Sequence, residues 1–271
     1  MLTLELAQLK AVEGDVKANL KKACDAVQNA GDKTDIMIFP EVFFSGFPTP
    51  ENIESIAEPL DGPIIQTLHQ VSKETGVAIV VGMAEKAGEH YYNTSVFVAP
   101  EGLLNYYRKT QLWLTDKEVF QVGDRYTTFE YKGYRIGILI CFDIEYPETA
   151  RALAMLDADL VLVTNGNMDP YGYVHRANGI SRALENQLFI AMVNHVGEDR
   201  YGHNFAGGSC VINPLGEVLG ELGRVEGRCH VTIDKADRDR AREVYQYLNE
   251  VQVTLPGTIQ KHANGHYDFI I

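Results

Sequence analysis

Cys141 closes the apolar run Tyr134 to Cys141, and Phe142-Asp143-Ile144-Glu145-Tyr146-Pro147 follows as a polar turn leading into a helical pattern. A thiol at the carboxyl end of a buried strand stands where α/β folds place reactive groups. Such a turn also presents the backbone N–H of Phe142 to a developing oxyanion. A free cysteine is equally at home as a small buried hydrophobe, so the thiol alone decides nothing. A nucleophilic thiol needs a base and a group that stabilises negative charge. Histidine is the usual base, but none of His69, His90, His175, His195, His203, His230, His262 and His266 lies in a motif around a strand end. Two other residues do. Glu41 follows the apolar Ile38-Phe39-Pro40, where a carboxylate is costly unless paired or functional. Lys109 follows a strand pattern and sits among Tyr106, Tyr107 and Trp113. The bland alternatives are a loop glutamate in water and a solvated cation.

The elements that must position these three are readable from apolar periodicity. Strands are expected over 3–9, 35–39, 77–83, 92–99, 103–107, 134–141, 160–164, 188–194, 209–213, 218–221 and 229–233. Pro100-Glu101-Gly102 turns the fourth into the fifth as a hairpin. Helices are expected over 16–29, 64–74, 149–156, 175–186 and 235–247, with Gly31-Asp32 and Gly76 as stops and Pro147 as a start. Helices alternate with buried strands and hairpins interrupt them, which implies an α/β protein with mixed sheets rather than a dinucleotide-binding fold. We read one continuous domain over 1–271, in which 251–271 is either an arm reaching another subunit or an extension over its own domain.

Composition bounds the function. The chain has 37 acidic and 24 basic residues, a formal net charge of −13, and 45% apolar residues. Binding nucleic acid through a basic face, or an anionic membrane, is disfavoured. The longest apolar runs, such as Val77 to Ala84, fall far short of the roughly 20 residues of a membrane span. The four cysteines form no CxxC pair, and the opening Met1-Leu2-Thr3-Leu4-Glu5 lacks the features of a secretory signal, so a reduced cytoplasmic protein is expected. A metal site built from His195, His203 and Cys210 has spacings of eight and seven residues that match no common zinc signature. Nucleotide binding at Gly207-Gly208 by a non-catalytic protein lacks the flanking pattern of a phosphate loop.

Taken together and in order, Phe39-Pro40-Glu41, Tyr107-Arg108-Lys109-Thr110-Gln111-Leu112-Trp113 and Ile140-Cys141-Phe142-Asp143-Ile144-Glu145-Tyr146-Pro147-Glu148 resemble the carbon–nitrogen hydrolase (nitrilase) superfamily. The resemblance continues through Arg182 to Gly197 and Gly207 to Leu219, and covers the chain from the first strand to about Asp234. It implies a four-layer α-β-β-α sandwich with two mixed sheets. It also implies a Glu41–Lys109–Cys141 catalytic triad, with Glu118 as a supporting acid and the Phe142 N–H in the oxyanion site. No metal or organic cofactor is implied. A homodimer or higher homo-oligomer is, with the helices after Pro147 and around His175 to Asn186 as the interface.

The resemblance also bears on the substrate. Amidase-like branches show an acid two residues after the cysteine, as Asp143 is here, whereas true nitrilases show Cys-Trp-Glu. Amide cleavage to a carboxylic acid and ammonia is therefore expected, with nitrile or N-carbamoyl hydrolysis as the alternatives. Carbamoyl-hydrolysing branches carry His-Ile-Pro after the lysine and ω-amidases carry His-Leu-Phe; Gln111 and Trp113 depart from both. Phe43, Trp113 and Phe142, with Asn165 and Asn167 as polar contacts, are the candidate lining of the pocket for a small-molecule amide.

Overall fold

The computed structural model describes residues 1–200, 202–252, 256–263 and 265–271. In chain order the first half comprises β1 (Leu2–Gln8), α1 (Val16–Gln28), β2 (Ile36–Ile38), α2 (Ile53–Ile56), α3 (Pro63–Thr75), β3 (Ala78–Ala87), β4 (His90–Ala99), β5 (Gly102–Arg108) and α4 (Asp116–Val119). The second half comprises β6 (Arg125–Tyr131), β7 (Tyr134–Ile140), a 3-10 turn (Cys141–Glu145), α5 (Pro147–Met155), β8 (Leu160–Asn165), α6 (Gly172–Asn186), β9 (Phe189–Asn194), β10 (Val196–Glu198), β11 (Asn204–Ala206), β12 (Cys210–Ile212), β13 (Val218–Glu221), β14 (Gly227–Ile233), α7 (Lys235–Ala241), β15 (Thr258–Lys261) and β16 (Tyr267–Ile270).

Two large mixed sheets result, in the orders β14-β1-β2-β3-β4-β5 and β13-β12-β9-β8-β7-β6-β16-β15. The short, predominantly apolar strands β2, β7, β8 and β9 form their parallel centres. Their side chains are buried on both faces, which is why they read as unbroken apolar runs. On one face of the first sheet Leu4, Leu6, Ile36, Ile38, Val80 and Phe97 pack against Ile136, Ile138 and Leu162 of the second. On the opposite face Met37, Ile79 and Val81 meet Ala23 and Val27 of α1 and Leu68 and Val71 of α3. Helices α5 and α6 cover the outer face of the second sheet. The four layers expected from the resemblance are therefore present.

Local signals explain the helix ends. Asp15 caps α1 by accepting from the Ala18 N–H at 2.9 Å. Gly76, at φ +75°, ends α3 in the left-handed conformation. The late helix, expected over 235–247, stops at Ala241. The Gln187 side chain takes the carbonyls of Ala241 and Tyr245, at 2.5 and 3.0 Å, and accepts from the Tyr247 N–H, so a distant residue ends this helix. Strand β6 escapes apolar reading because buried Thr127 and Thr128 interrupt it; the Thr128 hydroxyl donates to the Leu156 carbonyl. The tail forms the β15–β16 hairpin, and β16 pairs antiparallel with β6, extending the chain's own second sheet. Among the described residues no helix is long and apolar enough to cross a membrane.

Candidate active site

Glu41, Lys109 and Cys141 leave β2, β5 and β7 at their carboxyl ends and meet in one cavity of about 670 Å³. Each is aimed by its backbone. Beyond β2 the Glu41 N–H donates to the Asn165 carbonyl at 3.3 Å, and the next residue, Val42, holds φ +38°. Cys141 itself adopts φ +47° where β7 breaks into the 3-10 turn. Positive φ is rare for a β-branched or unbranched side chain, and both instances flank the site. Gly82 lets this happen: a Cβ there would lie 2.2 Å from the Val42 nitrogen and 2.7 Å from the Glu41 backbone.

The polar contacts are asymmetric. Glu41 Oε1 accepts from Asn93 Nδ2 and from Lys109 Nζ, both at 2.7 Å. Glu41 Oε2 is buried with no hydrogen-bond partner. It faces Gly166, whose absent Cβ would stand 2.8 Å from it, and Cys141 lies against both. Lys109 Nζ also donates to Asp116 Oδ2 at 2.6 Å. Burial alone would push the Lys109 ammonium down, but Asp116 and Glu41 outweigh it and hold the pKa well above its ordinary value. Burial, then the Glu41 charge, pushes the Cys141 thiol well up against the opposing pull of Lys109. At rest the site holds a neutral thiol beside a carboxylate and an ammonium, so a proton must leave the thiol before it can attack.

Two buried residues hold this arrangement. Asp143 Oδ2 accepts from the Ile140 N–H and the Tyr107 hydroxyl, each at 2.9 Å. Its Oδ1 accepts from the Gln111 N–H at 2.9 Å and the Thr110 hydroxyl at 3.0 Å. One carboxylate thus ties the cysteine turn to the segment carrying Lys109. Burial raises its pKa to about 6 against those hydrogen bonds. His195 Nε2 donates to the Glu41 carbonyl at 2.5 Å, among the rings of Phe43, Phe47 and Phe205. Burial lowers its pKa to about 4, so it stays neutral.

The remaining expected residues divide. Trp113, Phe142 and Asn167 line the cavity. Phe43 does not: it is fully buried against Phe39, Phe44 and His195, behind Glu41, because the turn after Pro40 points it into the core under the first sheet. Asn165 does not line it either; its side chain is buried, and its carbonyl receives the Glu41 N–H. Glu118 lines the cavity from the exposed side of α4, while the acid that reaches Lys109 is Asp116, one half-turn earlier on the same helix. Asp116, Asn93, His195, His175 and Glu145 are members of the site that sequence reading missed. Glu145 sits inside the cysteine motif, Asp116 lies two residues before Glu118, and His195 directly follows an apolar strand, so each had a local signal. Arg182 ties α6 to the cysteine turn, donating to the Ile144 and Glu145 carbonyls at 3.1 and 2.9 Å.

Known proteins resemble this chain along nearly its whole length. The carbon-nitrogen hydrolase family pattern matches residues 3–244. The chain is similar to an (R)-stereoselective amidase of a Pseudomonas species, 46% identical over 270 residues that cover 100% of this chain and 98% of the relative. It is similar to a 2-oxoglutaramate amidase of Bacillus subtilis, at 30% identity over 93% of this chain and 98% of the relative. Among solved structures, a superfamily protein of Xanthomonas campestris with an arsenic adduct in its active site matches with a TM-score of 0.86 and 26% identity, over 94% of this chain and 99% of that one. An amidase of Nesterenkonia sp. AN1, a glutamate-to-glutamine variant with acrylamide added to its active-site cysteine, matches with a TM-score of 0.79 and 27% identity, over 93% and 100%. A match that runs through both sheets and all three strand ends, in relatives of nearly equal length, makes this chain a member of the carbon–nitrogen hydrolase family.

Proposed function

We propose that the chain hydrolyses the C–N bond of small carboxamides through a thioester on Cys141, with Glu41 as proton carrier and Lys109 as oxyanion stabiliser. The observation that carries this is the divided carboxylate of Glu41. One oxygen is saturated by Asn93 and Lys109, and the other is buried, unpaired and beside the thiol. The second oxygen is thus placed to receive the thiol proton directly.

The steps then balance. Glu41 Oε2 takes the thiol proton as sulfur attacks the carbonyl carbon. The oxygen that becomes negative is met by the Lys109 ammonium and the Phe142 N–H. Glu41 returns its proton to the amide nitrogen, the C–N bond breaks, and ammonia leaves. A water molecule, deprotonated by Glu41, attacks the thioester, and the thiolate departs and regains the proton. Asp116 keeps Lys109 charged and aimed, and Glu118 adds a further acid at the cavity wall. Two of the relatives are amidases, one of them (R)-stereoselective, and Asp143 follows the cysteine as in amide-cleaving branches. We take the enzyme to be a cytoplasmic homodimer joined through α5 and α6, a reading supported by four free cysteines and by the exposed Met155 and Leu184 on those helices.

Ammonia release from a panel of amides, N-carbamoyl compounds and nitriles, wild type beside Cys141→Ala, tests the reading. Release by the wild type alone supports it, and the best substrate names the branch. No release from any compound, with Cys141 no more reactive to iodoacetamide than an ordinary thiol, refutes it.

A further inference from the structure

The cavity carries more negative charge than the reaction uses. Glu41 and Asp116 are both engaged by Lys109, the only lysine or arginine among the described lining residues. Glu51 and Glu118 stand exposed in the same wall, and Glu145 lines it half-buried. Glu145 lies in the same 3-10 turn as Cys141, four residues on. At a rise of about 2 Å per residue, the two α carbons are roughly 8 Å apart, the reach of a short acyl chain.

Glu145 is held for a purpose that the hydrolysis of a plain amide does not explain. Its Oε1 meets Nε2 of His175 at 3.1 Å, and its carbonyl is pinned by Arg182. His175 also lines the cavity and is 5% exposed, and its Nδ1 is buried with no hydrogen-bond partner. The contact fixes the Glu145 carboxylate against the α6 wall of the cavity. Beside it runs an aromatic wall: Trp113 meets Phe142 edge-on at 4.8 Å and Tyr171 at 6.1 Å. A carboxylate next to aromatic rings in a shielded cavity is the chemistry that receives an ammonium, by charge-assisted hydrogen bonding and cation–π attraction. A neutral acyl group would give that carboxylate no ionic partner from the substrate, and an anionic one would be repelled.

We propose that Glu145, positioned by His175, selects amides whose acyl portion carries a protonated amine. The inference deepens the amide-hydrolase reading of the same cavity and rests on it. Three amides of matched length test it: γ-aminobutyramide, its methyl isostere valeramide, and the carboxylate-bearing glutaramate. Wild-type kcat/KM should favour γ-aminobutyramide over valeramide by roughly 10- to 100-fold, mostly through KM, as expected for a hydrogen bond to a charged group. In Glu145→Gln that ratio should fall at least tenfold, which cancels any general loss of activity. Glu145→Lys should reverse the preference toward glutaramate. Equal kcat/KM for the first two amides in the wild type, or a ratio unmoved by Glu145→Gln, overturns the proposal.

A second readout separates this proposal from the reaction itself. The n-butylammonium ion should protect Cys141 from iodoacetamide in the wild type and not in Glu145→Gln, while n-butanol protects neither. That pattern with no ammonia released would sink the hydrolase reading and leave the cation site standing; equal protection by both probes would sink the cation site.

Discussion

Asp143→Asn separates the stability of the site from its geometry. The wild-type carboxylate is ionised at neutral pH although burial raises its pKa from 3.8 to about 6. At 1.36 kcal/mol per pH unit, holding that buried charge costs about 3 kcal/mol. Asparagine removes this cost. It also replaces one accepting oxygen with an NH2 group that must face either the Ile140 N–H and Tyr107 hydroxyl or the Gln111 N–H and Thr110 hydroxyl. A hydroxyl can rotate to accept; a backbone N–H cannot. The loss is one buried unsatisfied N–H, about 1 to 3 kcal/mol, since the strength of the charge-assisted bonds is already contained in the shifted pKa. The two effects nearly cancel, so urea unfolding should place the variant within about 2 kcal/mol of wild type. The tie between the cysteine turn and the Lys109 segment is nonetheless cut on one side. A displacement of a few tenths of an ångström to 1 Å between thiol and ammonium should lower kcat by about 10- to 100-fold. A folded variant with kcat within threefold of wild type would refute the claim that Asp143 sets the spacing of the two reacting groups.

Two further outcomes follow. In Asp116→Asn, Lys109 loses the nearer of two carboxylates that oppose burial, so its pKa falls and the alkaline limb of the kcat–pH profile moves to lower pH; Glu118→Gln, measured alongside, should move that limb less, and the reverse order would assign the supporting acid to Glu118. For His195 the folded pKa of about 4 lies below the ordinary 6.5, so the unfolded chain takes up the proton first as pH falls. The wild type then loses about 3 kcal/mol of stability between pH 6.5 and 4, a loss that is absent above that window. His195→Gln keeps a donor toward the Glu41 carbonyl and has no such titration, so urea unfolding at pH 7 and pH 4.5 should narrow the gap between the two proteins at the lower pH; an unchanged gap counts against a buried neutral imidazole.

Several parts of this molecule are legible in the chain because they rest on local periodicity. β2, β7, β8 and β9 carry short apolar stretches on both faces, as strands of a doubly covered sheet do. Glu41, Lys109 and Cys141 are each ordinary alone and stand out only as three strand-end residues taken together and in order. Other parts are not legible, because they depend on which distant segments touch. Gln187 ends α7, more than fifty residues away. Thr127 and Thr128 make a buried strand only because β6 has β7 and β16 on either side. The tail pairs with that same strand, a choice that 251–271 does not encode by itself.

The site repeats this division at close range. The residue types and their order along the chain pointed to a thiol, a carboxylate and an ammonium at the ends of three strands. Tertiary structure decided which of two acids on α4 reaches Lys109, that Phe43 and Asn165 support Glu41 from behind, and that His195, Asn93 and the Glu145–His175 pair belong to the site at all. The bonds concerned join Glu41 to partners 52, 68 and 154 residues away. Periodicity constrains a side chain's face within one element; only the packing of two sheets sets the distances between the ends of different strands, and those distances decide which oxygen of Glu41 is left free.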